Sequence, residues 1–450
     1  MTELQKVLDR FDEQDASWRE KTAEGIERYR KGNASLTVTD ESGRPVSGAT
    51  VRIKQKNHAF RFGANCFMLD ELETDEKNEA YKRHFAELFN MATLPFYWDT
   101  LEPERGKPRY AKDSPKVYRR PAIDLCLEYC EKNGIEPREH ALAYDHFFPN
   151  WLYDASVDEI KRELERRYAE VSERYADKFR TVELTNEMFW ENGMTAFYDA
   201  PDFVEWCFKT ARKYFPNNQL GINEWTGDVW GNGCRATDRY YAYLEAALLK
   251  GTPIDAIGMQ YHLFYKQEDL LEKTRQILDP NGMRRHMDLY ASFEKPLQVT
   301  EVTVPSYSWD AENEEQQAEL IERLYSIWFS HPSVEQIIYW NVVDGYAYVK
   351  DTAPDKIAAT QGDMTLGENV YHGGLLRFDC TPKPAFYKLR ELLCEKWHTE
   401  VEAMTDANGA VSFRGFYGAY DVEITANGKT VRKQIDLAKD ADNSITVTLA

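Results

Sequence analysis

Thr181-Val182-Glu183-Leu184-Thr185-Asn186-Glu187 and Leu297-Gln298-Val299-Thr300-Glu301 are two short strand-like stretches, each of which closes on a glutamate. Between about residues 58 and 396, further strand candidates near 61–66, 87–95, 137–144, 219–225, 255–262 and 334–342 alternate with helical stretches. Alternation of this kind is the pattern of repeated βα units on a parallel sheet, and eight units predict an α/β fold, a (βα)8 TIM barrel. No glycine-rich dinucleotide or P-loop fingerprint follows any of the strands, so a nucleotide-binding sheet lacks its usual signature.

The flanks have a different grain. Residues 1–33 place Leu4, Val7, Leu8, Phe11, Ile26 and Tyr29 at helical spacing and predict an N-terminal amphipathic helix that ends at Gly32-Asn33. Residues 34–57 alternate at period two around Ser42-Gly43 and Pro45, which predicts a β-hairpin. From 397 to 450 the pattern is again β, with Asn408-Gly409 and Asn427-Gly428 as turn dipeptides. Because a lone hairpin is marginal in water, 34–57 and 397–450 are expected to combine into one accessory β-sandwich beside a 58–396 catalytic barrel.

Composition narrows the function. A formal charge of -20 over 450 residues repels phosphate backbones and anionic lipid, so nucleic acid and membrane partners are not expected and a neutral substrate is. The Met1–Lys6 start lacks the basic and apolar regions of a secretory leader, and the seven cysteines are scattered and odd in number, so a reducing, cytoplasmic setting is expected. Oligomeric state is not legible.

In (βα)8 enzymes the chemistry gathers where strands end at the C-terminal face, and Glu187 and Glu301 end the fourth and seventh strand candidates. Two carboxyls facing one another suit hydrolysis of a glycoside with retention, one donating a proton and the other attacking the anomeric carbon. Asn186 is placed to hydrogen-bond the sugar beside Glu187.

The region 58–396 resembles glycoside hydrolase family 10, whose best-known members are endo-1,4-β-xylanases. Asn186-Glu187 is similar to the family's acid/base pair, and Thr300-Glu301 to its nucleophile pair. Gly251-Thr252-Pro253-Ile254-Asp255-Ala256-Ile257-Gly258-Met259-Gln260-Tyr261-His262 resembles the family's G-x-P-I-D-G-I-G-x-Q-x-H, which implies that Gln260 and His262 support the site, His262 by bonding the nucleophile. Asn223, before Glu224, resembles a further supporting position. Trp98, Glu102 and Pro103 with Gly106 resemble the stretch after strand two; Arg138, His140 and Leu142 with Pro149 and Trp151 resemble the stretch around strand three. The resemblance implies that Trp340 packs against the sugar, and we expect Trp98, Glu102, His140, Tyr144, Asp145 and Trp151 to contact substrate.

Two segments depart from the family. Thr93-Leu94-Pro95-Phe96-Tyr97-Trp98 stands where the family has E-N-x-M-K-W, and Tyr144-Asp145 where it has Trp-His. Both fall on the glycone side, so unsubstituted xylan is expected to be a poor substrate, and an exo-acting or oligosaccharide-trimming enzyme is the alternative. Asp145 is free to accept from sugar hydroxyls or to pair with Arg138 or another cation. A catalytically weak carbohydrate-binding protein is a reading of another class. No cofactor or metal is expected: His140 and His146 bracket Asp145, but no HxH or HExxH spacing occurs.

Overall fold

The computed structural model describes residues 1–231, 233–349 and 361–449, so 232, 350–360 and 450 lie outside the described residues. Fifteen strands are described: β1 (Lys31–Asp40), β2 (Thr50–His58), β3 (Arg61–Asn65), β4 (Met91–Pro95), β5 (Glu136–His140), β6 (Thr181–Asn186), β7 (Gln219–Glu224), β8 (Ala256–His262), β9 (Leu297–Thr303), β10 (Val334–Tyr339), β11 (Glu400–Met404), β12 (Ala410–Phe416), β13 (Gly418–Ala426), β14 (Lys429–Leu437) and β15 (Ser444–Leu449).

The eight strands from β3 to β10 close into a barrel in sequence order, with β10 returning to β3 in parallel register. Helices separate them, as the alternating pattern predicts, and the architecture is a (βα)8 barrel. Strands wrapped by helices and filled by side chains are buried on both faces, and every residue of β6 and β9 is buried. That is why those two stretches read as near-continuous strands with few surface positions. Among the described residues, no helix is long and apolar enough to cross a membrane.

The N-terminal segment expected as one helix forms two, α1 (Glu3–Gln14) and α2 (Trp18–Arg30). Asp15 causes the break: its Oδ1 accepts from Ser17 N at 2.9 Å and Ser17 Oγ at 2.7 Å, a local turn that competes with helical bonding. Leu4, Val7, Leu8 and Phe11 of α1 are buried. On α2, Gly25 lies so close to the barrel that a Cβ would meet Ser330 O at 2.6 Å, which only glycine avoids.

Strands from both ends of the chain make two further sheets, ordered β12-β1-β15 and β11-β2-β13-β14. They enclose a second core that includes Leu36, Val38, Val51, Ile53, Val422 and Ile424. The hairpin expected over 34–57 does not form, because β1 and β2 lie in different sheets. The turn at Ser42-Gly43 is present, with Val46 N donating to Val38 O, but beyond it the chain crosses to the opposite sheet. Period-two alternation identifies a strand and its buried face, not its partner. On the outer side of the four-stranded sheet, Arg52, Glu402, Glu423 and Arg432 form ion pairs, while Phe413, Phe416 and Tyr420 are buried.

Candidate active site

At the C-terminal ends of β6 to β9, five polar side chains form one hydrogen-bonded chain. Asn223 Nδ2 donates to Glu301 Oε1 and to Asn186 Oδ1, both at 2.9 Å. Gln260 Nε2 donates to Asn186 Oδ1 and to Glu187 Oε1, both at 3.1 Å. The carboxyls of Glu187 and Glu301 are therefore tied to each other through three amides. Thr300 Oγ1 donates to Asn223 Oδ1 at 2.6 Å and fixes which end of that amide faces Glu301. Gly258 makes room for it: a Cβ there would sit 2.5 Å from Asn223 Oδ1.

Glu187 follows the last residue of β6 with a φ of 51°, a left-handed conformation that non-glycine residues adopt at a cost. The next peptide is anchored, since Met188 N donates to Glu224 Oε2 at 2.9 Å. Burial pushes the Glu224 carboxyl well above the usual carboxylate range. Tyr144 Oη and Trp190 Nε1 both donate to Glu187 Oε2, the second at 3.1 Å.

His262 lies 3.2 Å from Glu301 Oε2 through Nε2 and 2.9 Å from Thr303 Oγ1 through Nδ1. Burial lowers this imidazole to about 4, so near neutral pH it is uncharged. With Thr303 donating to Nδ1, Nε2 carries the proton and donates to Glu301. Burial pushes Glu301 up to about 8; the charges of His140 and Arg138 oppose that rise, and those of Glu183 and Glu187 add to it.

An acid whose folded pKa is raised binds its proton more tightly when folded. Its stabilising effect is complete below the ordinary value of 4.5 and is lost as pH rises through about 8. Glu301→Gln, which keeps the shape and removes the charge, is expected to raise Tm in thermal melts above about pH 8, with the gain shrinking towards pH 4. A Tm difference that is constant across that range contradicts this assignment.

Trp340, His140 and Tyr97 form the adjoining wall. The Trp340 ring lies 5.3 Å from the His140 ring and 6.3 Å from that of His262. His140 Nδ1 donates to Glu183 Oε1 at 2.8 Å, and its Nε2 lies 3.0 Å from Tyr97 Oη. Burial raises Glu183, but the charges of Arg138 and His140 outweigh that and hold it below its usual range. One atom each of His140, Glu183 and Glu301 fall within 4.8 Å of one another, a spacing compatible with a cation. However, Arg138 already supplies the positive charge by bonding Glu183 Oε2, and both His140 nitrogens are engaged.

Four residues expected to touch substrate make hydrogen bonds within the protein. Asp145 is buried, pairs neither with Arg138 nor with His146, and accepts from Thr195 Oγ1 at 2.5 Å and from Met194 N. It pins the loop after Glu187. Trp98 Nε1 donates to Glu102 Oε2 at 2.8 Å, Glu102 also receives Arg166, and Trp151 Nε1 donates to Glu102 O at 3.2 Å. This tryptophan, glutamate and arginine cluster braces the loop after β4 beneath the cleft. Conversely, Glu183, Tyr97 and Trp190 take part in the site without having been singled out as site residues. For Glu183 a signal existed, since it shares strand parity with Glu187.

Comparison with known proteins follows from this geometry. A family model described as glycosyl hydrolase family 10 matches residues 54–391. The chain is 24% identical over 416 residues to Anti-sigma-I factor RsgI6 of Acetivibrio thermocellus, a match covering 92% of this chain and 47% of that one. It is 24% identical over 402 residues to Endo-1,4-beta-xylanase 2 of Arabidopsis thaliana, covering 88% and 33%. It thus spans less than half the length of these relatives. In three dimensions it is similar to native xylanase 10B from Thermotoga maritima, with a TM-score of 0.59 at 21% identity, over 75% of this chain and 96% of that one. That likeness establishes the shared fold.

Proposed function

The chain belongs to glycosyl hydrolase family 10, and from that premise we propose that it hydrolyses β-linked glycosides with retention of configuration. The observation that carries the reading is the hydrogen-bonded chain from Glu301 through Asn223, Asn186 and Gln260 to Glu187. In the first step a Glu301 oxygen attacks the anomeric carbon, the bond to the leaving oxygen breaks, and Glu187 gives that oxygen its proton. In the second, Glu187 takes a proton from water, whose oxygen displaces Glu301 and frees the sugar. Asn186 has both bonds on its oxygen and keeps its amide nitrogen for a sugar hydroxyl, while Trp340 offers a ring face.

The substrate is a short β-1,4-linked oligosaccharide rather than long unsubstituted xylan. Tyr97 packs against Phe67 and Phe147 on the glycone side and its hydroxyl is taken by His140, so these rings leave no free hydrogen-bonding edge for a long run of sugars. Xylobiose, named as the ligand of the similar xylanase 10B from Thermotoga petrophila RKU-1, is a suitable starting probe. The reading is tested by incubating the protein with aryl β-glycosides and short xylose- and glucose-based β-1,4-oligosaccharides and following the product anomer by NMR. Initial release of the β-anomer supports it; initial α-anomer overturns retention.

Glu301 attacks in its ionised form, so kcat/KM is expected to fall as pH drops below the range to which burial has raised it, near about 8. A profile flat down to pH 5 is inconsistent with Glu301 in that role. The reading of another class is a catalytically weak carbohydrate-binding protein. Saturable binding of oligosaccharide by the wild type without turnover would select it.

A further inference from the structure

Two consecutive arginines on the loop after β4, Arg119 and Arg120, are buried at 5% and 8% exposure. The loop that presents them is fastened from within: Arg109 donates from Nη1 to Thr100 O at 2.9 Å, from Nε to Pro115 O at 2.8 Å and from Nη2 to Arg120 O at 3.3 Å. Arg119 is held at a φ of 61°. The Arg120 guanidinium carbon stacks 3.8 Å from the centre of the Tyr97 ring and 5.3 Å from that of Phe67; the Arg119 carbon lies 5.6 Å from Phe67. Those rings belong to the wall of the site, because Tyr97 reaches His140 and Phe67 lies 5.2 Å from Trp340.

These guanidiniums have few partners. Arg119 donates from Nη1 to Tyr346 O, Arg120 from Nη1 to Arg119 O at 3.0 Å, and each Nε is buried without an acceptor. Among the described residues no carboxylate lies within ion-pair distance of either, and only the charge of Asp99 acts on Arg120 from farther off, whereas buried Arg138 meets Glu183, buried Arg323 meets Asp12, and Arg30 spends three bonds on carbonyls. Burying a guanidinium without a counter-charge is costly, and a planar fork of donors is complementary to a carboxylate.

Resting on the hydrolase reading above, we propose that Arg119 and Arg120 receive the carboxylate of a uronic acid unit at the glycone end of the substrate. The lysine that family members carry near this place is absent, and Tyr97 in its stead carries Arg120 on its ring, so positive charge returns from a different loop. The acidic surface, at -20 overall, still disfavours polyanions, but one carboxylate in contact with two partly desolvated cations is governed by short-range pairing.

The test uses the full chain carrying Glu301→Gln, so that ligand binds without being consumed. It is titrated calorimetrically with a disaccharide whose non-reducing unit is β-linked glucuronic acid, with the methyl ester of that disaccharide, and with its glucosyl counterpart. The acid is expected to bind about 10-fold tighter or more than the other two, the size of a charge-assisted hydrogen bond. That preference should weaken with added salt, disappear in Arg120→Gln and persist in part in Arg120→Lys. Because the ester comparison needs no arginine variant, misfolding of a variant cannot mask the result. Equal binding of acid, ester and neutral sugar overturns the proposal, as does a preference that survives both Arg119→Gln and Arg120→Gln. If the wild type hydrolyses neutral aryl glycosides while the acid preference is missing, only this proposal falls; if nothing binds and nothing is hydrolysed, the hydrolase reading falls with it.

Discussion

Glu301→Ala is expected to lower hydrolysis of every substrate by at least about 10⁴-fold, irrespective of leaving group, because no glycosyl-enzyme can form without the attacking carboxylate. The loss is uniform since the missing nucleophile is needed in the first step whichever group departs in it. Asn223 and His262, which donate to Glu301, remain in place to hold the local fold, so the variant is expected to give a native circular dichroism spectrum with no burst of aglycone release. Residual activity within tenfold of wild type would remove Glu301 from the role of nucleophile.

Glu187→Ala has a different expected signature. Loss of a general acid costs about 10²- to 10⁴-fold when the leaving oxygen needs a proton, and far less when the aglycone is a stable anion. Oligosaccharides should therefore become nearly inert while dinitrophenyl glycosides still give a rapid burst followed by slow turnover. Azide, small enough to enter the space vacated by the side chain, should restore turnover and yield a β-glycosyl azide. A rate loss equal across leaving groups, with no azide effect, would show that Glu187 does something other than transfer protons.

How far these residues were legible follows from the kind of information each depends on. Glu187 and Glu301 sit at the ends of buried strands, and strand ends are set by local patterning together with the regular alternation of units. The eight barrel strands were readable for the same reason. Pairing in the accessory sheets was not, because β1 finds its partners at residues 410–416 and 444–449, and nothing between positions 31 and 58 encodes that choice. For Trp98, Glu102 and Trp151 the hydrogen bonds were not legible, for a subtler reason. A resemblance carries over positions, whereas orientation is decided by neighbours such as Arg166, which draws Glu102 down into the loop. Tyr97 was visible only as a departure from a pattern, and its contact with His140 depends on barrel closure.

The shared sheets have a consequence for the order of events during synthesis. β1 emerges early from the ribosome but pairs with β12 and β15, which are translated after the whole barrel. Until then its backbone donors and acceptors are exposed, the state in which a strand edge recruits a neighbouring chain. Completion of the accessory sheets is thus tied to strands translated after the barrel, and a ribosome stalled between barrel and β11 holds a polypeptide able to close its barrel but not to pair β1.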